Sequence, residues 1–330
     1  MGGIKIKYKK KQPISALNDG DKVDDVFVVK IKKAMSSYAK GFFFQLILSD
    51  SSGKTLDYRY WGSQDEKKVR ALYNSIKADS VVHVQGKVSL YNGKLQLTTN
   101  EPFTIEPLKE EEYEKADFIK PARKDIDDMY SELKAVIDEV KNQDIKKLLE
   151  KIFNEPAMEA KFKTHPGAIE IHHNWIGGLL EHTLEVLKYS LLSIDLFPVL
   201  DKDLLIAGAL LHDIGKLDEL EVTSRIKGSD SGQLVGHIVL SSIFVSNEMD
   251  KLNFNQELKN KLLHIIVSHH GKTEYGSPKQ PMFPEAVVVY YADEMSSKIA
   301  EITEFIKDSI EDTEDNFMYH RRKQHNIYLK

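Results

Sequence analysis

The sequence predicts a chain of mixed class, an N-terminal five-stranded β-barrel followed by an all-α domain. Three observations predict it. The length of 330 residues is more than one ordinary core serves. Between residues 23 and 105, apolar side chains recur at the two-residue strand period, in the order three strands, one helix, two strands. After Phe162 the apolar spacing becomes three to four residues, helical apart from loops.

Composition narrows the chemistry. The hydrophobic fraction of 41% supports ordinary packed cores. There are no cysteines, which excludes disulfides, thiolate zinc sites and cysteine nucleophiles, so any metal must take nitrogen and oxygen ligands. A net charge of −5 gives no overall basic character, and a nucleic-acid partner would rely on a local patch. Lys5, Lys7, Lys9, Lys10 and Lys11 form one patch, and residues 308–315 form an acidic counterpart. Solvated terminal charge is the plain reading of both, and the favoured one for the acidic run. The lysines interrupt any signal core, and no apolar run approaches the ~20 residues of a membrane helix. The expectation is a soluble cytoplasmic protein with no membrane partner, its homo-oligomeric state left open.

In chain order, residues 1–15 read as a basic arm. Val23 to Ile31, Gly41 to Leu48 and Thr55 to Trp61 read as strands, with Leu56, Tyr58 and Tyr60 on one face of the third and Asp57, Arg59 and Trp61 on the other. Asp65 to Lys77 is helical, with Val69, Leu72, Tyr73 and Ile76 as its stripe. Ser80 to Leu90 and Leu95 to Ile105 flank Tyr91-Asn92-Gly93-Lys94, a hairpin signal. This order is that of an OB-fold barrel, assigned to residues 16–107. Such barrels bind single strands through aromatic platforms and basic grooves. The candidates are Phe42, Tyr58, Tyr60, Trp61 and Tyr91, with Lys54, Arg59, Lys87 and Lys94. Most strand aromatics fill a core; Trp61 at a strand end and Tyr91 at a hairpin tip are the exposed substrate-binding candidates. Residues 108–160 read as a linker with connecting helices, 161–312 as the second domain and 313–330 as a C-terminal tail.

In the second domain an apolar run, Leu204 to Leu211, ends in His212-Asp213-Ile214-Gly215-Lys216, where Gly215 reads as a helix stop. A lone His-Asp is most simply a helix-end ion pair. Four further features change the balance: His182, His237, the pair His269-His270 and Asp293 each lie in or beside an apolar run, where an unpaired polar group is costly. Five histidines and two carboxylates so placed suggest one shared site.

The order His … His-Asp … His … His-His … Asp resembles the HD-domain metal-dependent phosphohydrolase superfamily. The surrounding wording is closest to the YhaM-like 3′-to-5′ exoribonucleases, which join an OB-fold to an HD domain. His172-His173, Gly177-Gly178-Leu179-Leu180-Glu181-His182-Thr183, His212-Asp213-Ile214-Gly215-Lys216, Gly236-His237-Ile238, Ser268-His269-His270-Gly271, Tyr275-Gly276-Ser277-Pro278 and Ala292-Asp293 carry the resemblance. Ser296 departs from it, standing where the family has a carboxylate.

The resemblance implies a metal-dependent 3′-to-5′ exoribonuclease acting on single-stranded RNA, and on single-stranded DNA as a further substrate, that cleaves phosphodiesters with a metal-activated hydroxide. It implies two divalent transition-metal ions, one on His182, His212, Asp213 and Asp293, the other on bridging Asp213 with His237, His269 and His270. Manganese or iron is favoured, and cobalt, nickel or zinc also suits imidazole with carboxylate. Lys216 is expected to meet a phosphate oxygen, the alternative being a helix-end cation paired with Asp218 or Glu219. His173 is given a catalytic, substrate-contacting or supporting role, the alternative being a cap before the Gly177-Gly178 turn. Arg225, Lys227, Lys272 and Lys279 are candidate phosphate contacts, although each taken alone reads as a surface residue. Two other functions compete: a phosphohydrolase of nucleotides or cyclic dinucleotides, and a nucleic-acid-binding regulator with a structural metal.

Overall fold

The computed structural model describes residues 7–170, 173–310 and 313–330, and it divides into two compact units, Met1–Lys120 with Val222–Arg225 and Pro121–Glu221 with Ile226–Lys330. His172 and Lys5 lie outside the described residues.

The first unit is a barrel with two additions. Its elements are β1 (Lys22–Lys32), β2 (Ser36–Tyr38), β3 (Gly41–Ser49), β4 (Thr55–Trp61), α1 (Glu66–Ser75), β5 (Val81–Tyr91), β6 (Lys94–Thr99) and β7 (Ile105–Pro107). Strands β1, β3, β4, β6 and β5 pair in that order and β5 returns to β1, closing a ring in which only β4–β6 is parallel. That is the OB-fold arrangement. The Asn92-Gly93 turn has φ of 50° and 74°, the two positive values a tight I′ hairpin needs. The single strand expected over 95–105 is split, because Pro102 has no N–H to give to a ladder. The short β2 was not anticipated.

The inward residues match the alternation: Leu56, Tyr58, Phe27, Phe44, Leu46, Leu97 and Val69 form one core. Strand β1 is buried on both faces, and Tyr113 and Phe118 cover Val26, Val28 and Val81 on the second. Residues 108–120, read as linker, therefore belong to the barrel unit. The basic arm is also packed rather than free: Lys10 Nζ lies 3.4 Å from Asp25 and 3.5 Å from Asp50, and Lys11 lies 2.8 Å from Asp24. Within the same unit Arg225 Nη2 lies 2.6 Å from Asp79 Oδ2.

The second unit contains α2 (Ile126–Asp138), α3 (Gln143–Phe153), α4 (Pro156–Thr164), α5 (Gly178–Leu196), α6 (Lys202–Leu211) and α7 (Lys216–Glu219). A hairpin of β8 (Leu220–Val222) and β9 (Ile226–Gly228) follows. Then come α8 (Asp230–Val235), α9 (His237–Asp250), α10 (Gln256–Ser268) and α11 (Pro284–Ser309). The residues read as a tail form a second hairpin, β10 (Phe317–His320) with β11 (His325–Tyr328), so the unit is helical but not purely so. The connecting helices α2 and α3, whose amphipathic pattern predicts packing on the second domain, supply Leu133, Leu148, Leu149 and Phe153 to the same core as α5 and α6, and α4 adds Phe162. Leu204 to Leu211 of α6 are all buried, as their unbroken apolar run requires.

Candidate metal centre

Each ligand-type side chain is delivered by the end or inner face of a helix. His182 lies in the second turn of α5, Asp293 in the middle of α11, and His237 opens α9. His212 and Asp213 follow α6, and His269 and His270 follow α10. Two glycines permit the approach. A Cβ on Gly178 would lie 2.0 Å from the His173 carbonyl oxygen, and one on Gly215 would lie 2.3 Å from the His237 carbonyl oxygen. Gly215 has φ −65° at the start of α7. It therefore serves close packing and not the helix stop expected of it, and its N–H donates to Ser241 Oγ at 2.8 Å.

The ligand-type atoms fall into two groups, each within 4.8 Å of one another: His182, His212, Asp213 and Asp293, and His237, His269 and His270. Asp213 faces both. Its Oδ2 lies 3.3 Å from His182 Nε2 and 3.4 Å from His212 Nε2. Its Oδ1 lies 3.5 Å from His237 Nε2 and 3.4 Å from His269 Nε2. Asp293 Oδ1 lies 3.2 Å from His182 Nε2.

The outer nitrogens decide what the inner ones can do. His212 Nδ1 donates to the Ala209 carbonyl at 2.8 Å, His269 Nδ1 to Ile266 at 2.7 Å and His270 Nδ1 to Tyr275 at 2.9 Å. His237 Nδ1 donates to Glu219 at 3.0 Å. His182 Nδ1 meets the Ser296 hydroxyl at 3.0 Å, and that hydroxyl donates to Glu185 Oε2 at 2.8 Å. A hydroxyl has one proton, so a Ser296 that donates to Glu185 must accept from His182. All five rings thus carry a proton on Nδ1 and direct Nε2 inward, the orientation outer hydrogen bonds impose on metal-binding histidines.

The electrostatics agree. Asp213 Oδ1, His237 Nε2 and His269 Nε2 are buried and make no hydrogen bond. Three converging orphaned atoms of nitrogen and oxygen type are what a divalent cation satisfies. Burial lowers the pKa of His269, and lowers that of His270 to about 4, so both rings are neutral. Burial also opposes the charged form of His182, but its bonds to Asp213 and Asp293 prevail and raise its pKa to about 9; a cation at that nitrogen competes with a proton. Burial works against ionisation of Asp213, yet Lys216 and His212 outweigh it and hold the carboxyl well below the ordinary range. Asp293 is held low in the same way, burial being overcome by His182.

Lys216 Nζ lies 2.7 Å from Asp213 Oδ2, so it pairs with neither Asp218 nor Glu219. Its own burial would lower its pKa, but Asp213 raises it above the usual lysine value. A cavity of about 910 Å³ opens on this centre, lined among others by Lys216, Glu219, His237, His270 and Asp293. His173 does not line it. Buried behind His182, His173 directs Nε2 to Glu185 Oε2 at 3.2 Å and lines a separate cavity of about 160 Å³ with Glu185 and Ser296.

None of the four expected loop cations lines the 910 Å³ cavity. Arg225 pairs with Asp79, Lys227 lies 2.9 Å from Glu221, Lys272 lies 3.6 Å from Glu274, and Lys279 is exposed. The cavity wall instead carries Lys298, Arg322 and Lys323, which the sequence reading missed. The run Arg321-Arg322-Lys323 was the available signal, obscured because residues 313–330 read as a tail. The supporting acceptors Glu185 and Glu219 were missed as well; nothing in their spacing separates them from other helical glutamates.

On the barrel unit, Tyr58 is fully buried and Phe42 and Tyr60 pack against the core. Trp61 and Tyr91 reach the surface, Tyr91 with 53% exposure. Trp61 joins Phe43 at 5.3 Å between ring centroids and Tyr38 at 4.8 Å, and the Arg59 guanidinium lies 5.0 Å from Trp61 and 5.5 Å from Tyr91. Phe43 and Tyr38 were missed, although strand alternation through Phe42-Phe43-Phe44 must turn one ring outward.

The family model described as the HD domain matches residues 179–298. The chain is 33% identical over 282 residues to the 3′-5′ exoribonuclease YhaM of Bacillus subtilis, covering 85% of this chain and 86% of that protein. The YhaM protein of Bacillus velezensis matches with the same identity and coverage. The OB domain of a Thermoplasma acidophilum protein aligns over 29% of this chain and 85% of its own, with 16% identity and a TM-score of 0.24. Among the described residues no helix is long and apolar enough to cross a membrane.

Proposed function

We infer that this chain, which belongs to the family of YhaM 3′-5′ exoribonucleases, is a metal-dependent 3′-5′ exoribonuclease whose hydrolytic centre is built around Asp213. The observation that supports this centre most is the Asp213 carboxylate, one oxygen facing His182 and His212 and the other facing His237 and His269. In this reading His182, His212, Asp213 and Asp293 would hold one ion, and Asp213 with His237, His269 and His270 would hold a second. Manganese or iron is the favoured pair member, with cobalt, nickel and zinc also suited to imidazole and carboxylate. When bound, such ions supply Lewis acidity, lowering the pKa of water and stabilising charge on a phosphate under attack.

The chain's own residues supply the rest. Glu219 fixes His237 from its backbone N–H and from Nδ1, at 3.1 and 3.0 Å. Glu185 and Ser296 orient His182, with His173 completing the contacts of Glu185 as a positioning residue. Lys216, an ammonium on the cavity wall, meets a non-bridging oxygen of the scissile phosphate. Its raised pKa keeps it charged near neutrality. Tyr38, Phe43, Trp61 and Tyr91 of the barrel stack on bases of a single strand, with Arg59 beside them for cation–π contact. Single-stranded RNA is the substrate, and single-stranded DNA is accepted by the same sequence-tolerant stacking.

The test is incubation of the metal-loaded chain with 5′-labelled single-stranded RNA and, separately, with a panel of cyclic dinucleotides. Stepwise shortening of the RNA from its 3′ end is expected. Intact RNA beside hydrolysed cyclic dinucleotides would replace this reading with that of a small-molecule phosphohydrolase.

A further inference from the structure

We propose that Arg322, at the turn of the C-terminal hairpin, is a phosphate-binding residue of the catalytic cavity, gripping the internucleotide phosphate next to the scissile one. The proposal rests on the exoribonuclease reading above.

The hairpin is built to hold its turn in place. Met318 pairs with Ile327 in the ladder, and Ile327 and Leu329 are buried. The His320 ring lies 4.5 Å from that of Phe305 on α11. Gln324 N–H closes the turn on the His320 carbonyl at 2.9 Å, with Gln324 at φ 56°. Lys323 Nζ then ties the turn to the buried Glu301 at 2.7 Å. Glu301 lies on the helix that carries Asp293, eight residues on, about 12 Å along the axis. The turn is therefore anchored to the element that supplies a metal-facing carboxylate.

Charge decides which residue of the turn acts. The cavity wall carries Glu219, Asp293, Glu294 and Glu301 beside Lys216, Lys298, Arg322 and Lys323. Three of its cations are already matched: Lys216 with Asp213, Lys298 with Glu294 at 2.8 Å, and Lys323 with Glu301. Arg322 lines the cavity and has no acidic partner among the described residues, whereas Lys298 and Lys323 beside it do. A guanidinium presents a planar fork of donors matching two phosphate oxygens, which an ammonium cannot do. Arg321 is also exposed but does not line the cavity, so it provides a control.

The experiment uses the full chain and an RNA oligonucleotide only a few residues long. Metal content is measured first for wild type, Arg322→Ala, Arg322→Lys and Arg321→Ala. With metal, Arg322→Ala is expected to raise KM by roughly tenfold, the loss of one charge-assisted contact. Arg322→Lys should recover part of the loss, and Arg321→Ala should match wild type. In EDTA, fluorescence anisotropy with the same RNA should show the slope of log Kd against log salt falling by about 0.7 in Arg322→Ala, one phosphate contact fewer on a single strand. Arg322→Ala behaving like Arg321→Ala in both measurements would overturn the proposal while leaving an active exoribonuclease. Loss of metal from Arg322→Ala would overturn it too, by tracing the defect to the metal centre. A wild-type chain inert on every RNA would overturn the functional reading and this proposal with it.

Discussion

Replacing Ser296 with alanine should weaken one of two ions and spare the other. The Ser296 hydroxyl is the acceptor for His182 Nδ1 at 3.0 Å, and both side chains are almost wholly buried. Alanine leaves a buried N–H without its partner, which costs ~1–3 kcal/mol. It also frees the ring to turn its Nε2 away from Asp213 and Asp293. Loss of such an outer contact typically costs ~10–100-fold in metal affinity, the same range expressed as a binding constant. The effect should be confined to the ion on His182, because His237, His269 and His270 take their outer acceptors from Glu219, Ile266 and Tyr275. Glu185→Gln should give a milder loss, since an amide oxygen still accepts from Ser296 without the charge. The assay is competitive titration of each variant with a chromogenic chelator, on protein whose thermal melting without metal is first shown to be near wild type. Equal loss of both ions, or binding within twofold of wild type, would refute the relay.

Three further outcomes follow from other parts of the molecule. Lys216→Ala should lower kcat more than it raises KM, with metal content intact, because a contact tightening in the transition state acts on turnover; an unchanged kcat would leave Lys216 a structural partner of Asp213. Trp61→Ala should weaken binding of long single-stranded RNA by ~1–3 kcal/mol, and Tyr91→Ala should behave similarly, since each removes a stacking ring; undiminished anisotropy titrations would remove the barrel face from the binding surface. Lys10→Ala should destabilise the barrel unit by about 3 kcal/mol, because Asp25 and Asp50 would keep buried charge without their cation, and urea unfolding reads it directly.

The barrel and the clustering of histidines and carboxylates were legible in the sequence for the same reason: both are written in strong local patterns. Strand alternation in Leu56, Tyr58 and Tyr60 fixes which side is core, and Asn92-Gly93 has few backbone options other than a tight hairpin. Histidines inside apolar runs are costly unless they share a purpose, which drew His182, His212, His237, His269 and His270 together. The substrate wall was not legible, because it depends on which loop faces the cavity. Arg225 and Lys227 sit in an attractive glycine-containing loop, yet Arg225 pairs with Asp79 and Lys227 with Glu221. The Arg322 turn lies more than a hundred residues beyond His212, in a segment whose short alternation looked like a charged tail. Ser296 illustrates a third case. Its departure from the family's carboxylate was visible, but only the position of Glu185 beside it shows how a hydroxyl here can orient His182.

The most direct measurement is the metal stoichiometry of wild-type and Asp213→Ala protein by elemental analysis after purification and reconstitution. Asp213 offers an oxygen to each group of histidines, so the wild-type chain should hold about two ions and Asp213→Ala should lose both together. One ion in the wild type, or an Asp213→Ala variant that keeps both ions, would contradict a centre bridged by Asp213.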